Sequence, residues 1–288
     1  MANLSLNPMA TTNALGSFGV QSDGLIQGVA LDDPANRFNL ASGTVASTET
    51  NPMWGGLPVA ELLPGTASSP KGSTIRRAVS VSELEGFTVF NQAHNGLTTP
   101  QSPVPQFASG MSVSYYRIGS NMRVPLKASS TVVALGTTGA SVKTPLAWDF
   151  ANSQLTTAAA AYAGSDLTTT AISYANGVAT ATFASAHGIT AGQYITLSGA
   201  VPAGYNGTYS VTSVPSATTL TFVPATVPSG AATTQATVSA PNAAAVAAFT
   251  LPVKVLSIQA GNSKTVSYDS VTGFLTWNNT DNCALVLL

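Results

Sequence analysis

Between Thr168 and Val253 the chain contains no Asp, Glu, Lys or Arg, yet apolar and polar residues alternate there in short runs. Val178-Ala179-Thr180-Ala181-Thr182-Phe183, Tyr194-Ile195-Thr196-Leu197, Thr208-Tyr209-Ser210-Val211 and Leu220-Thr221-Phe222-Val223 each have the period of a half-buried strand. Turn signals separate them: His187-Gly188, Ala191-Gly192, Ala203-Gly204-Tyr205-Asn206-Gly207 and Pro215-Ser216. The spacing predicts a small antiparallel β module, and the rest of the chain reads as one domain interrupted by it.

The flanking text is also strand-like. Arg76 to Val81, Gly86 to Asn91, Ser112 to Ile118, Met122 to Leu126, Thr131 to Leu135 and Leu146 to Phe150 precede the module. Val253 to Ile258, Thr265 to Tyr268, Gly273 to Trp277 and Ala284 to Leu287 follow it, with turns expected at Gly261-Asn262, Asp269-Ser270 and Asn278-Asn279. Short strands at even spacing predict an all-β protein whose main domain is a sandwich, jelly roll or barrel. Two Ala-rich segments, Thr156 to Tyr162 and Asn242 to Phe249, read equally as weak helices or linkers. The expected divisions are an extended arm over 1–30, a discontinuous main domain over 31–165 and 251–288, and the inserted module over 168–240. If Trp148-Asp149-Phe150 and Val253-Lys254-Val255 are neighbouring strands, an insertion between them costs little entropy, because loop closure grows slowly with length.

Charge narrows the function classes. Only 7% of residues are Asp, Glu, Lys or Arg, against about 25% in ordinary globular proteins. At 44% hydrophobic the chain is nevertheless rich enough to pack. Its surface must be built from Ser, Thr, Asn, Gln and Gly, and its formal net charge of −1 offers little repulsion between copies. That suits dense, permanent assembly. Ten basic residues balanced by eleven acids make no phosphate-neutralising stripe, so nucleic acid is not expected as a partner. No apolar run approaches a membrane span, and Met1 to Ser5 lacks the basic start of a secretory signal. The single Cys283, beside Ala284-Leu285-Val286-Leu287-Leu288, reads as a buried small hydrophobe.

Chemistry-bearing patterns are sparse. His94 and His187 are the only histidines, and neither has companions at metal-ligand spacing, so no metal or cofactor is expected. His187, before Gly188, reads as a turn residue bonding to backbone. No nucleophile elbow, phosphate loop or calcium loop occurs. Glu83 and Glu85 would share one face of a strand; such a pair could serve glycoside hydrolysis, or could pair with Arg76 and Arg77. The chain is not expected to be an enzyme. Arg76, Arg77, Arg117 and Arg123 are candidate intersubunit contacts, and so is Trp54, which anchors the Pro- and Gly-rich loop Asn51-Pro52-Met53-Trp54-Gly55-Gly56. Tyr174, Tyr194, Tyr205 and Tyr209 are the candidate outward stacking surface of the module, although tyrosines at alternating strand positions also suit a core.

Two resemblances attach to these residues. Ala186 to Gly199, with Tyr205-Asn206-Gly207-Thr208-Tyr209-Ser210-Val211-Thr212 and Thr219 to Phe222, resembles a small Ig-like β module found in tailed-bacteriophage virion proteins. The flanking text is similar to phage head cement or decoration proteins, in Leu31 to Phe38, Pro52 to Gly56, Gly86 to Ala93, Pro100 to Pro105 and Gly261 to Asn278. The second resemblance implies a structural protein on the outer capsid surface. It would bind the lattice of the major capsid protein and stabilise the head, as a homo-oligomer: a trimer first, a dimer second. The alternative is a receptor- or glycan-binding virion surface protein.

Overall fold

The computed structural model describes residues 24–31, 38–63, 73–91, 96–150, 152–158 and 160–288. Most of the expected arm, along with Lys71 and His94, lies outside them. The fold is all-β, and the chain separates into two compact units: the residues up to Thr157 with Leu251–Leu288, and Ala158–Thr250.

The first unit opens with a five-stranded closed barrel. Its strands are β1 (Leu40–Val45), β2 (Pro58–Leu62), β3 (Ser73–Arg77), β4 (Gly86–Val89) and β5 (Ser112–Arg117), in the order β1-β3-β2-β4-β5, with β5 returning to β1. Only β1 and β3 run parallel. At Gly86 a Cβ would lie 2.2 Å from the Tyr116 carbonyl oxygen, so no side chain fits where β4 crosses β5. The barrel encloses Met53, Trp54, Leu57, Val59, Ile75, Phe107, Val113 and Tyr115.

A second core forms around β6 (Arg123–Lys127), the helix α1 (Ser130–Thr137) and the hairpin β7 (Leu146–Asp149) with β8 (Gln154–Thr157). Thr131 to Leu135 is thus helical, not a strand as its β-branched residues predict. Propensity is a weak prior: Val132 becomes fully buried from one helix face, and Gly139 at φ 68° closes the C-terminal end.

The two cores of this unit share one ribbon. The 15-residue strand β15 (Lys254–Tyr268) pairs with the 13-residue β16 (Leu275–Leu287), and β16 pairs with β6. Ala284, Val286 and Leu288 enter the second core, while Val266 and Leu275 enter the barrel core. The expected turns at Gly261-Asn262 and Asn278-Asn279 fall inside these strands. The register shifts between Gln259 and Ser263 and again between Ser263 and Thr265, so the strands bulge without reversing. Only Asp269 to Phe274 turns the chain, with the Gly273 amide donating to the Asp269 carbonyl.

The interruption has a local explanation in the register. Leu146 pairs with Thr157 on one side and Leu251 on the other. The chain therefore leaves and re-enters the first unit about 10 Å apart, two strand spacings. The pairing at Trp148 is to Leu155, not to the Val253 region as expected.

The second unit is a closed, wholly antiparallel sheet of six strands. β9 (Leu167–Ala175), β10 (Val178–Phe183), β11 (Tyr194–Ser198), β12 (Gly207–Ser216), β13 (Thr219–Phe222) and β14 (Thr237–Ser239) follow the order β10-β13-β12-β11-β14-β9, with β9 returning to β10. Alternate residues of β10 and β13 are buried, as the sequence period requires. Asn176 (φ 51°) and Gly177 (φ 83°) join β9 to β10. Asn242 caps the short helix α2 (Ala243–Ala247) by accepting from the Ala245 amide at 2.7 Å. The described residues of the flanking segment Thr156 to Tyr162 are not helical: Thr156 and Thr157 end β8.

Candidate functional site

Of the basic residues singled out in the sequence, Arg76, Arg77 and Arg117 stand on the first barrel, and Arg76 and Arg117 are each matched by a carboxylate of the same chain. Arg117, at the end of β5, donates from Nε to Glu61 Oε1 (2.6 Å) and from Nη2 to Glu61 Oε2 (3.0 Å). Tyr115 Oη donates to the same Oε1 at 2.7 Å. The Arg117 guanidinium is the main cause holding the Glu61 carboxyl below its usual range. Burial pushes the Tyr115 hydroxyl up to about 12, with the Glu61 charge adding to it.

On β3, Arg76 makes a two-pronged pair with Glu83, at 3.2 Å and 2.5 Å. Glu83 ends a short 3-10 turn, Val81–Glu83, and Glu85 lies beyond it. The two glutamates therefore do not share a strand face, and the expectation of a paired-carboxylate strand is corrected. Glu83 is consumed by Arg76 and the Val79 amide.

Arg77 sits deeper. Its guanidinium carbon lies 4.6 Å from the centroid of the Trp54 ring and 5.9 Å from that of Tyr268. Nη2 donates to the Pro52 carbonyl, whereas Nε is 3.9 Å from Glu49 Oε1, too far for a hydrogen bond. Glu49 is engaged elsewhere: Oε2 accepts from the Arg77 amide at 2.9 Å and Oε1 from the Asn51 amide at 3.3 Å. Burial lowers the Arg77 pKa against the raising effect of Glu49. Trp54 is 3% exposed and Arg77 largely covered. Neither is displayed for a neighbouring subunit; both are internal supports of the barrel.

Arg123 differs. It opens β6, is exposed, and makes no ion pair with a described residue.

The candidate tyrosine surface is largely internal. Tyr194, Tyr205 and Tyr209 are 4%, 0% and 6% exposed, and Tyr174 packs half-buried against the same core. Tyr205 Oη donates to the Gly230 carbonyl at 2.7 Å and Tyr209 Oη to the Asn206 carbonyl at 2.9 Å. Tyr209 stacks on Phe222, and Tyr194 on Phe249. Rings of this size fill a small closed sheet, with their hydroxyls satisfied at its edge by backbone. They do not form an outward platform. His187 is 4% exposed and its Nδ1 accepts from the Ile189 amide at 3.0 Å. Cys283 is fully buried, donating to the Leu126 carbonyl, and burial raises its pKa.

Among the described residues of the first unit, cavities open at two places of note. One, of about 470 Å³, is lined mainly by apolar residues of α1, the turn after it and β15, among them Leu135, Val142 and Ile258. The other, of about 450 Å³, is polar and lies beside the Arg77 stack. Sequence reasoning missed both, because their walls come from segments far apart in the chain. Among the described residues no three His, Cys, Asp or Glu side chains are grouped to hold a metal ion, and no helix is long and apolar enough to cross a membrane.

No family model, curated protein or solved structure matches the chain.

Proposed function

We propose that this protein is a structural component of a bacteriophage virion. In this reading it is a decoration or cement protein that binds the outer lattice of the major capsid protein and stabilises the head without catalysing a reaction. One observation supports the reading: the distribution of charge. The second unit, Ala158–Thr250, carries a single charged residue, Asp166, while the ion pairs of the described residues all lie in the first. A neutral unit with its own core can crowd beside identical copies without repulsion, and the first unit is left to make the lattice contact. Bridging copies would act through avidity, as a trimer first and a dimer second. Arg123, like Lys143 and Lys254, is exposed and outside the ion pairs of the described residues, and so is left for such a contact.

The test is cosedimentation of the full chain, and of a form lacking Ala158–Thr250, with undecorated capsid shells. Saturable binding by both supports the reading; binding by neither removes it. The alternative, a glycan-binding surface made of the module's tyrosines, loses three of its four residues to the core.

A further inference from the structure

The polar cavity of the first unit has a lining unusual for this chain. In a protein with so few charged residues, its described lining holds two cations, Arg77 and Lys127, and no carboxylate. The Lys127 ammonium rests 3.3 Å from Asp281 outside the lining. The Arg77 guanidinium has no carboxylate within hydrogen-bond distance, and its Nε is buried without a partner. Around them stand the half-buried ring of Tyr268, the hydroxyl of Ser267 and the amides of Gln154 and Asn152, the last already donating from Nδ2 to Asp149 Oδ2 at 2.7 Å and left with its oxygen to accept. Gln154 and Ser267 make no side-chain hydrogen bond with a described residue, so their donors and acceptors are available.

Each feature selects for ligand chemistry. An under-compensated guanidinium in a partly dry site favours an anionic oxygen. Amide and hydroxyl groups that both donate and accept favour a polyhydroxylated ligand. An aromatic face provides an apolar surface for ring C–H groups. A volume of about 450 Å³ exceeds what an inorganic anion fills and lies in the range of small-molecule pockets. We propose that this cavity binds an acidic sugar, a pyranose bearing a carboxylate. The carboxylate faces Arg77 and Lys127, the hydroxyls meet Gln154, Asn152 and Ser267, and the ring lies on Tyr268. This site is independent of the capsid reading and of the module's tyrosines.

The test is NMR titration of the full chain with sodium glucuronate, glucose, sodium acetate and inorganic phosphate at low salt. Glucuronate is expected to saturate with shifts at Tyr268, Gln154 and the Trp54 indole, and to bind about tenfold or more tighter than glucose or acetate. Lys127→Gln and Gln154→Ala should each weaken glucuronate while leaving the melting temperature near that of the parent; Gln154→Ala removes no side-chain hydrogen bond to a described residue and guards against a folding effect. Equal affinity for acetate or phosphate would overturn the sugar assignment, and equal affinity for glucose would overturn the role of the cations. Absence of saturation, or glucuronate binding unchanged in both variants, would overturn the site.

Discussion

The two units close their sheets by different chemistry. In the first barrel, Glu61 ties β2 to β5 through Arg117 and Tyr115, and Arg77 lies over the Trp54 ring and donates to the Pro52 carbonyl. In the second sheet, uncharged pairs take that place. Thr196 and Thr208 hydroxyls meet at 2.8 Å across β11 and β12, Ser213 and Thr221 at 2.7 Å across β12 and β13, and the tyrosine hydroxyls end on backbone carbonyls. Closure therefore does not require charge. Fully buried aromatic rings stand in both, Phe107 and Tyr115 in the first barrel and Tyr205 and Phe222 in the second sheet, so the difference lies in the polar ties and can be broken at chosen residues.

The largest effect is expected at Phe222, fully buried and stacked on Tyr209. Phe222→Ala should cost the second unit about 3 to 5 kcal/mol. Amide exchange should rise throughout β9 to β14 and stay unchanged in β1 to β5; a global rise would show that the units share one core. Next is Tyr205→Phe, which removes the bond from a fully buried ring to the carbonyl of the exposed Gly230. A loss of about 1 to 2 kcal/mol is expected, read by chemical denaturation.

In the first unit Glu61→Gln should cost less, about 1 kcal/mol or under, because the pair is part-exposed and screened. Its pH dependence has a definite sign. The folded-state pKa of Glu61 is depressed, so its contribution is present above the unfolded value, about 4.3, and is lost as pH falls through the lower folded value. Parent and variant should therefore differ at pH 7 and converge at acid pH. A gap that persists under acid would assign the effect to packing. The smallest effect is expected at the exposed pair of the second sheet: Ser213→Ala should shift stability by less than about 0.5 kcal/mol.

The sequence showed these regions unevenly. Alternation over Val178 to Phe183 and Leu220 to Phe222 marks β10 and β13 directly, since one face of each is core. β9 and β14 escape that reading. β9 buries Thr169, Ile172 and few others across a register shift, and β14 is three residues long; Asn176-Gly177 was the available signal for β9. Gly261-Asn262 and Asn278-Asn279 look like turns because bulges and turns draw on the same residues. Thr131 to Leu135 looks like a strand because local propensity does not record the burial of Val132. The Trp54 anchor and the backbone-bonded His187 could be read locally. The Arg117–Glu61 pair, 56 residues apart in sequence, and the lining of the polar cavity could not, because they exist only once the barrel and ribbon are assembled.

Ala158–Thr250 has its own core and leaves and rejoins the first unit where Thr157 and Leu251 flank Leu146. Scanning calorimetry of the full chain against a form with Thr157 joined to Leu251 by a short Gly-Ser linker tests it most directly. Two transitions are expected in the full chain, of which the shortened form loses one and keeps the other at its original temperature. A single transition in the full chain, or a shortened form that no longer melts cooperatively, would contradict it.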